Sequence, residues 1–416
     1  MTWILFIVYL VLFSWLVLKV PFFKVENINN RTITILFLFK VLAAITYGIV
    51  MGQTYFKGRA DTWQYHEESL KETQLLFQQP KVYLTNLFTN SYQEGYSKFL
   101  STTNSYWNDL KFNSFVKLLS IFNVSSGGNY YTNAIFYSFL TFFGTMAFVK
   151  TMLKVFPDRL YSIIGCIVMI PSFVFWCNGI HKDGLIFTAI SLFMYHFYVV
   201  AREKKVTLKN LFIIIFSLLI VLPLRNTLFL GLLHAAIAWV IAEKLPKRNI
   251  SIFITVALFS VVSFFTSKYF YNINLPGIIA ERQQEFLKLG GSSVIHITPL
   301  QPSFNGFIQN FPEAINHAFF RPYITEVKNS FYIPLFLEVA AFLLLAFFAL
   351  LTAKKIKRID NVILFSWMTS FVVLIVIGYV VPSLGAICRY RSITLPLLVT
   401  PLFCMVSFRK KMANIV

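Results

Sequence analysis

The sequence predicts an all-α polytopic membrane protein of about eleven transmembrane helices, with two partly helical extracytoplasmic loops. Three observations predict it. Hydrophobic residues fill 57% of the 416 positions and charged residues only 13%, where a soluble protein carries about a quarter. Apolar stretches of about 16–22 residues recur along the chain, the length that crosses a roughly 30 Å hydrocarbon layer at 1.5 Å per residue. Short basic clusters separate them in near-regular alternation. Backbone groups in lipid must be satisfied internally, so the stretches are expected to be helices.

The expected spans are 2–20, 32–51, 130–149, 160–177, 185–200, 210–224, 227–243, 250–267, 331–352, 361–382 and 392–408. The first lacks a basic leader and a small-residue cleavage site, so it reads as a span and not as a signal peptide. Basic clusters follow the third span (Lys150, Lys154, Arg159), the fifth (Arg202, Lys204, Lys205, Lys209) and the seventh (Lys244, Lys247, Arg248). Others follow the ninth (Lys354, Lys355, Lys357, Arg358) and the eleventh (Arg409, Lys410, Lys411). Positive loops stay in the cytoplasm, which puts the N-terminus outside and the C-terminus inside. The same clusters account for most of the net charge of +20. No nucleic-acid-binding motif accompanies that charge, so nucleic acid is not an expected partner.

The chain divides into a two-span region (1–51), a first extracytoplasmic loop (52–129), a central six-span bundle (130–267), a second loop (268–330) and a three-span region (331–416). Both loops are rich in aromatic residues and Leu, unlike a disordered linker. In the first, Phe115, Leu118, Leu119 and Phe122 share one face of an expected interfacial helix over 113–123. In the second, a short helix is expected from Ile278 to Leu289, stopped by Gly290 and Gly291. Packing alone would also account for either helix. Repeats, a Walker A loop, a dinucleotide fingerprint and an H-E-x-x-H motif are all missing. Cys166, Cys177, Cys388 and Cys404 form no C-x-x-C pair, so no disulfide framework or zinc site is indicated. Inside the spans, Lys40 is expected to snorkel, and His196 and His234 to make structural hydrogen bonds.

Polar residues of chemical interest gather in the outer segments. Asp61 lies in Gly58-Arg59-Ala60-Asp61-Thr62-Trp63-Gln64-Tyr65-His66-Glu67, just beyond the second span. A partly desolvated acid there suits a general base for a hydroxyl group, or a metal ligand; capping of the helix that follows would equally explain it. The turn Asn178-Gly179-Ile180-His181-Lys182-Asp183-Gly184 sets three ionisable residues between two apolar helices. Such charges need partners, either a local ion pair or an anionic ligand. Arg225, Arg321, Arg389 and Arg391 occupy other outer segments. Arginine binds phosphate bidentately and keeps its charge, which fits a lipid-linked phosphate at headgroup depth. Anionic headgroups or loop carboxylates would fit the same set.

At these residues the chain resembles polytopic glycosyltransferases of the GT-C class, which use polyprenyl-phosphate-linked sugars. The likeness lies in Gly58-x-Ala60-Asp61-x-x-x-Tyr65. It implies that an acid in the first large external loop, here Asp61, acts as catalytic base or metal ligand. In this chain that loop follows the second span, and no second acid stands beside Asp61. The chain also resembles polymerase-like bacterial membrane proteins of polysaccharide gene clusters, the EpsG group. That likeness lies in Pro171 to Asp183, in Arg321-Pro322-Tyr323 with Glu338 of the next span, and in Gly385-x-x-x-Arg389-Tyr390-Arg391.

The expected function is transfer of a sugar from a polyprenyl-(di)phosphate donor to a cell-envelope glycan or lipid, on the outer face of a bacterial inner membrane. Lys182, Arg225, Arg321, Arg389 and Arg391 would hold the donor phosphate and stabilise its charge. Asp61 would deprotonate the acceptor. Trp63, Tyr65, His66 and His181 would contact substrate, with Trp107 a second stacking surface. No metal ligands are assigned, and a divalent metal stays open as a cofactor. The alternatives are an O-antigen or exopolysaccharide polymerase or ligase, for which His181 or His317 would matter, and then a lipid-glycan flippase. A flippase would need a polar path that the spans do not offer.

Overall fold

The computed structural model describes residues 2–26, 28–53, 60–88, 95, 105–270, 273–289, 293–352 and 359–406. Gly58, Arg59, the glycine stop at 290–291 and the basic clusters 354–358 and 409–411 lie outside the described residues. Eighteen α-helices occur among the described residues. In chain order they are α1 (Thr2–Lys19), α2 (Asn30–Gln53), α3 (Asp61–Gln78), α4 (Pro80–Thr85), α5 (Tyr106–Ser126), α6 (Tyr130–Val155), α7 (Leu160–Met169), α8 (Pro171–Asn178) and α9 (Lys182–Ala201). There follow α10 (Leu208–Leu224), α11 (Asn226–Lys244), α12 (Asn249–Phe270), α13 (Leu275–Leu289), α14 (Phe304–Phe319), α15 (Ile333–Thr352), α16 (Asn361–Val380), α17 (Leu384–Ser392) and α18 (Leu395–Met405). The described residues contain no strand beyond one isolated bridge, Val294 to Ser383.

Each apolar stretch read as a span is helical over most of its described residues. Among the described residues seven helices are long and apolar enough to cross a membrane, within 30–52, 130–155, 182–201, 226–244, 246–269, 330–351 and 361–380. An eighth arises if α7 and α8, bent by 71°, count as one broken span. The break falls at Pro171, which has no N–H to continue the helix and pushes Ile170 into an extended conformation. The apolar helices at 3–19, 208–224 and 395–405 are shorter.

The chain forms two compact units. The first comprises Met1–Ala147, Val174–Leu192 and Phe216–Leu224. Its core carries Phe23 and Phe37, both fully buried and in edge contact with Phe142. A second part of the core is built on α3, whose buried positions Thr62, Tyr65, His66 and Ser69 recur at helical spacing. Against Tyr65 pack Phe115 and Leu119 of α5, with Tyr130, Ala134 and Tyr137 of α6. The apolar side of α5 expected at a membrane interface is thus occupied by protein. Asn123 of α5 donates to Ser69 Oγ at 2.9 Å and accepts from Asn133 at 2.6 Å, locking α3, α5 and α6. Gly127, at φ +64°, ends α5 in the left-handed conformation that a glycine adopts without strain.

Lys40 differs from the snorkelling expected of it. It is only 4% exposed, and its ammonium donates to Asn178 Oδ1 at 2.6 Å. Asn178 closes α8, and a cation is favoured at a helix C-terminus. A partner inside the fold holds the charge where the nearest water would otherwise draw it outward.

The second unit comprises Phe148–Phe173, Phe193–Ile215 and Arg225–Val416. Trp239 of α11 is fully buried between Phe197 and Phe365, and its indole donates to Glu243 at 2.9 Å. Gly378 lets α16 approach the backbone of α14 at Ala314. Lys154 pairs with Glu203, Arg202 with Asp360, and Asn249 donates to the Ile359 carbonyl at 2.7 Å. The loops after α6, α9, α11 and α15 therefore meet. His196 bonds Asn210 at 2.8 Å and His234 bonds the Leu230 carbonyl at 2.7 Å, as structural histidines do.

Candidate functional site

In the first unit the site forms where α3 starts and α8 turns into α9. Thr62 Oγ hydrogen-bonds the Ile180 carbonyl at 2.9 Å and the Tyr130 hydroxyl at 2.7 Å. Tyr137 donates to the His181 carbonyl. Gly184 admits this approach, since a Cβ there would collide with the Cys177 carbonyl and the Tyr137 hydroxyl. The turn is consequently buried: His181 is 0% and Asp183 1% exposed. A solvated surface turn would leave those groups in water; here they face each other.

His181 stands between two carboxylates. Its Nδ1 is 3.1 Å from Asp183 Oδ2, and its Nε2 is 3.6 Å from Asp61 Oδ2. The Asp61 side chain is 43% exposed, so it is the solvent-facing member of the three. It is a first-turn residue of α3, where its charge suits the helix N-terminus, and the cap position itself falls to Ala60. Lys182 lies over the ring of Tyr65, 4.8 Å from its centroid. Tyr65 is 6.1 Å from the His181 ring. Asp61, His181, Lys182 and Tyr65 are therefore brought together. Trp63 and His66 turn the other way. Trp63 stacks on Tyr130 at 4.3 Å and donates to the Gly48 carbonyl, and His66 meets both rings edge-on. Burial pushes the His66 imidazole down to about 4. Trp107 lies on α5.

In the second unit the four arginines read as outer cations also converge, on α17. Arg225 lies over the ring of Tyr390 at 4.1 Å and Arg389 at 5.7 Å. Arg391 is 3% exposed and donates to the Arg321 carbonyl at 2.8 Å. Arg321 pairs with Glu326 at 2.8 Å. Arg391 faces Glu338 at 3.8 Å, and Glu338 accepts from the Ser172 N–H at 2.7 Å and its hydroxyl at 2.9 Å. Ser172, Glu338, Arg391 and Arg321 come from the three segments that carry the second family likeness, and here they form one bonded cluster. Glu338 and Arg391 edge an apolar crevice lined by Phe319, Val339, Phe342, Leu374, Leu395 and Leu398. Nearby, His317 is 1% exposed, and burial followed by the charge of Arg321 lowers its basicity.

Among the described residues no group of three or more His, Cys, Asp or Glu is arranged to hold a metal ion. Sequence reasoning allowed a local ion pair at His181-Lys182-Asp183 but passed over Ser172, Glu326 and the ring of Tyr390 as partners. Beside the second family likeness, a glutamate in the otherwise apolar stretch 331–352 was a signal for the Glu338 cluster. No protein-family model, curated protein or solved structure matches the chain.

Proposed function

We propose that the protein is a glycosyltransferase of the extracytoplasmic face of a bacterial inner membrane, moving a sugar from a polyprenyl-(di)phosphate donor to an envelope glycan or lipid. The observation that carries this reading is the half-exposed Asp61 carboxylate in front of the buried His181 imidazole. Asp61 takes the proton of the acceptor hydroxyl. The hydroxyl oxygen attacks the anomeric carbon, the bond from that carbon to the phosphate oxygen breaks, and the electron pair leaves with the phosphate. Such a leaving group needs charge stabilisation more than an acid. Arg225 and Arg389, gathered on Tyr390, are the foremost candidates for it, and Lys182 and Arg321 are the further ones. Arg391 already answers the charge of Glu338, which gives it a positioning role for Arg321.

The reading includes about eleven spans, an outer N-terminus and a cytoplasmic C-terminus. It is supported by the helicity of the apolar stretches, and by the meeting of the loops that follow α6, α9, α11 and α15. A lipid-linked glycan polymerase or ligase is the second reading, favoured by the Ser172–Glu338–Arg391–Arg321 cluster.

The deciding experiment replaces Asp61 by Asn in cells and profiles the surface glycan by mass and chain length. Loss of one sugar with intact chain length is the expected result, reflecting a rate loss of roughly 10²–10⁴ on removal of a general base. Shortened chains that do not depend on Asp61 would favour the polymerase. A normal glycan in both respects would remove Asp61 from the chemistry.

A further inference from the structure

Asp183 has a place that the transfer reaction does not by itself require. It is the second residue of α9, it is 1% exposed, and its carboxylate is directed at the inner nitrogen of His181. A buried carboxylate costs several kcal/mol unless it is partnered. The pairing thus has to be worth something in the folded protein. Asp61, on the other side of the imidazole, is open to the exterior. The order from outside to inside is carboxylate, imidazole, carboxylate.

We propose that Asp61, His181 and Asp183 form a proton relay, in which Asp183 is a positioning residue that fixes the tautomer of His181. This rests on the transferase reading for its substrate, and deepens it by giving the abstracted proton a route. Two groups compete for His181 Nδ1: the Asp183 carboxylate at 3.1 Å and the Asp183 backbone N–H at 3.2 Å. A bond from a ring N–H to a carboxylate is charge-assisted and stronger than the backbone bond, and Asp183 at 3.1 Å is within hydrogen-bond reach of Nδ1, whereas Asp61 at 3.6 Å is beyond that of Nε2. Nδ1 therefore carries the proton and points it at Asp183, leaving Nε2 as a lone pair directed toward Asp61. The acceptor's proton passes to the Asp61 carboxylate. A small rotation of that half-exposed side chain closes the 3.6 Å gap, and the proton moves on to Nε2. The imidazolium then lies between two carboxylates, with no net gain or loss of atoms, and Asp61 is again ionised for the next acceptor. The proton leaves to water by the same exposed path. The charged and titratable groups around this ring are Asp61 and Tyr65 from α3, Tyr137 from α6, Cys177 from α8, and Lys182 and Asp183 from α9.

The sequence context fits the requirement. His181 and Asp183 are two residues apart at a helix start, so the backbone fixes their separation. Tyr137 holds the His181 carbonyl, and Gly184 leaves no side chain to push the turn outward.

The test reads the ring directly. The full chain is labelled with ¹⁵N-histidine in lipid nanodiscs, and long-range ¹H–¹⁵N spectra report which nitrogen carries the proton. His181→Gln assigns the signal, and His66, His196, His234, His296 and His317 serve as internal controls for folding. The expected wild-type signal is the Nδ1–H tautomer. Asp183→Asn presents an amide donor to Nδ1 and should switch the ring to Nε2–H, and Asp183→Glu should restore Nδ1–H. A wild-type ring protonated on Nε2 overturns the proposal whether or not the variants fold. An Asp183→Asn ring that stays Nδ1–H with the control signals in place overturns it too. Surface-glycan profiling of the same variants separates this from the transferase reading. A tautomer switch with Asp61→Asn cells still making normal glycan leaves the positioning of His181 by Asp183 standing and removes the transferase reading. Loss of glycan in Asp61→Asn cells with no tautomer switch does the reverse.

Discussion

Replacing Glu338 by Gln tests whether the cluster on α17 holds the second unit together. The substitution keeps shape and removes one charge. In the native protein the carboxylate accepts two bonds from Ser172, at 2.7 and 2.9 Å, and faces Arg391 at 3.8 Å. The amide oxygen of Gln still accepts from the Ser172 N–H. The guanidinium of Arg391 loses its counter-charge while remaining 3% exposed. Breaking one half of such a buried pair costs about 3–5 kcal/mol. At about 2 °C per kcal/mol for a large domain, the melting point falls by roughly 6–10 °C.

All four cysteines are buried, so a thiol-reactive dye that fluoresces on coupling reports unfolding of the protein in detergent. Cys388 lies 3.8 Å from the Arg391 guanidinium and makes the reporter local. The double variant Glu338→Gln/Arg391→Met carries no unpaired charge and places an apolar chain beside an apolar crevice. It should regain more than half of the loss, because replacing both members of a buried pair is often neutral or stabilising. A single variant that melts within about 1 °C of wild type would refute the reasoning, as would losses that simply add in the double variant.

His66 gives the protein an acid-sensitive window. Its folded imidazole is held down to about 4 by burial, against an ordinary value of 6.5. Between those values the unfolded chain binds a proton that the folded chain refuses. Stability is thus complete above about pH 6.5 and declines as the pH falls toward 4, by about 3 kcal/mol at most. His66→Phe should flatten the melting point across that range, and an unchanged slope would show that another group sets it. Gly378→Ala should cost about 1–3 kcal/mol, since the new methyl would overlap the rigid Ala314 carbonyl across α14 and α16. Gly165→Ala, in α7 with open space at its Cβ, should instead stabilise by up to about 1 kcal/mol through helix propensity. The dye assay measures both, and equal effects would mean that packing is not what separates them.

The helices were legible because hydropathy and length are local properties, and each stretch read as a span is helical over most of its described residues. The alternation of basic clusters was legible for the same reason. What the sequence hid is mostly contact between distant segments. Lys40 was judged against the nearer end of its own helix, whereas its partner Asn178 is 138 residues away. Asp61 and His181 are 120 positions apart, and no periodicity joins them. The face of α5 looked interfacial because Phe115, Leu119 and Phe122 are as suited to lipid as to Tyr65, Tyr137 and Phe136. Helix α14 escaped notice because Pro312 and several Asn and Gln residues interrupt it, although Ser303 caps it through a bond from Gly306 N at 3.2 Å.

Two kinds of costly charge can now be told apart. In the second unit Glu338 accepts from the first turn of α8 at Ser172, and in the first unit Lys40 donates to Asn178, each charge being of the sign that the helix dipole favours there. Those charges are explained by the helix break at Pro171, and so is Arg391, which answers Glu338. Folding gives them a reason to exist without any substrate. Asp61, Arg225 and Arg389 have a different standing. Each is partly exposed; Asp61 lies beside His181, and Arg225 and Arg389 lie over the ring of Tyr390. Glu338 is buried and Asp61 is half-exposed, so replacing Asp61 should change chemistry before it changes stability. Glu338→Gln and Asp61→Asn therefore form a pair: the first should melt the protein early, and the second should leave its melting point alone while altering the glycan.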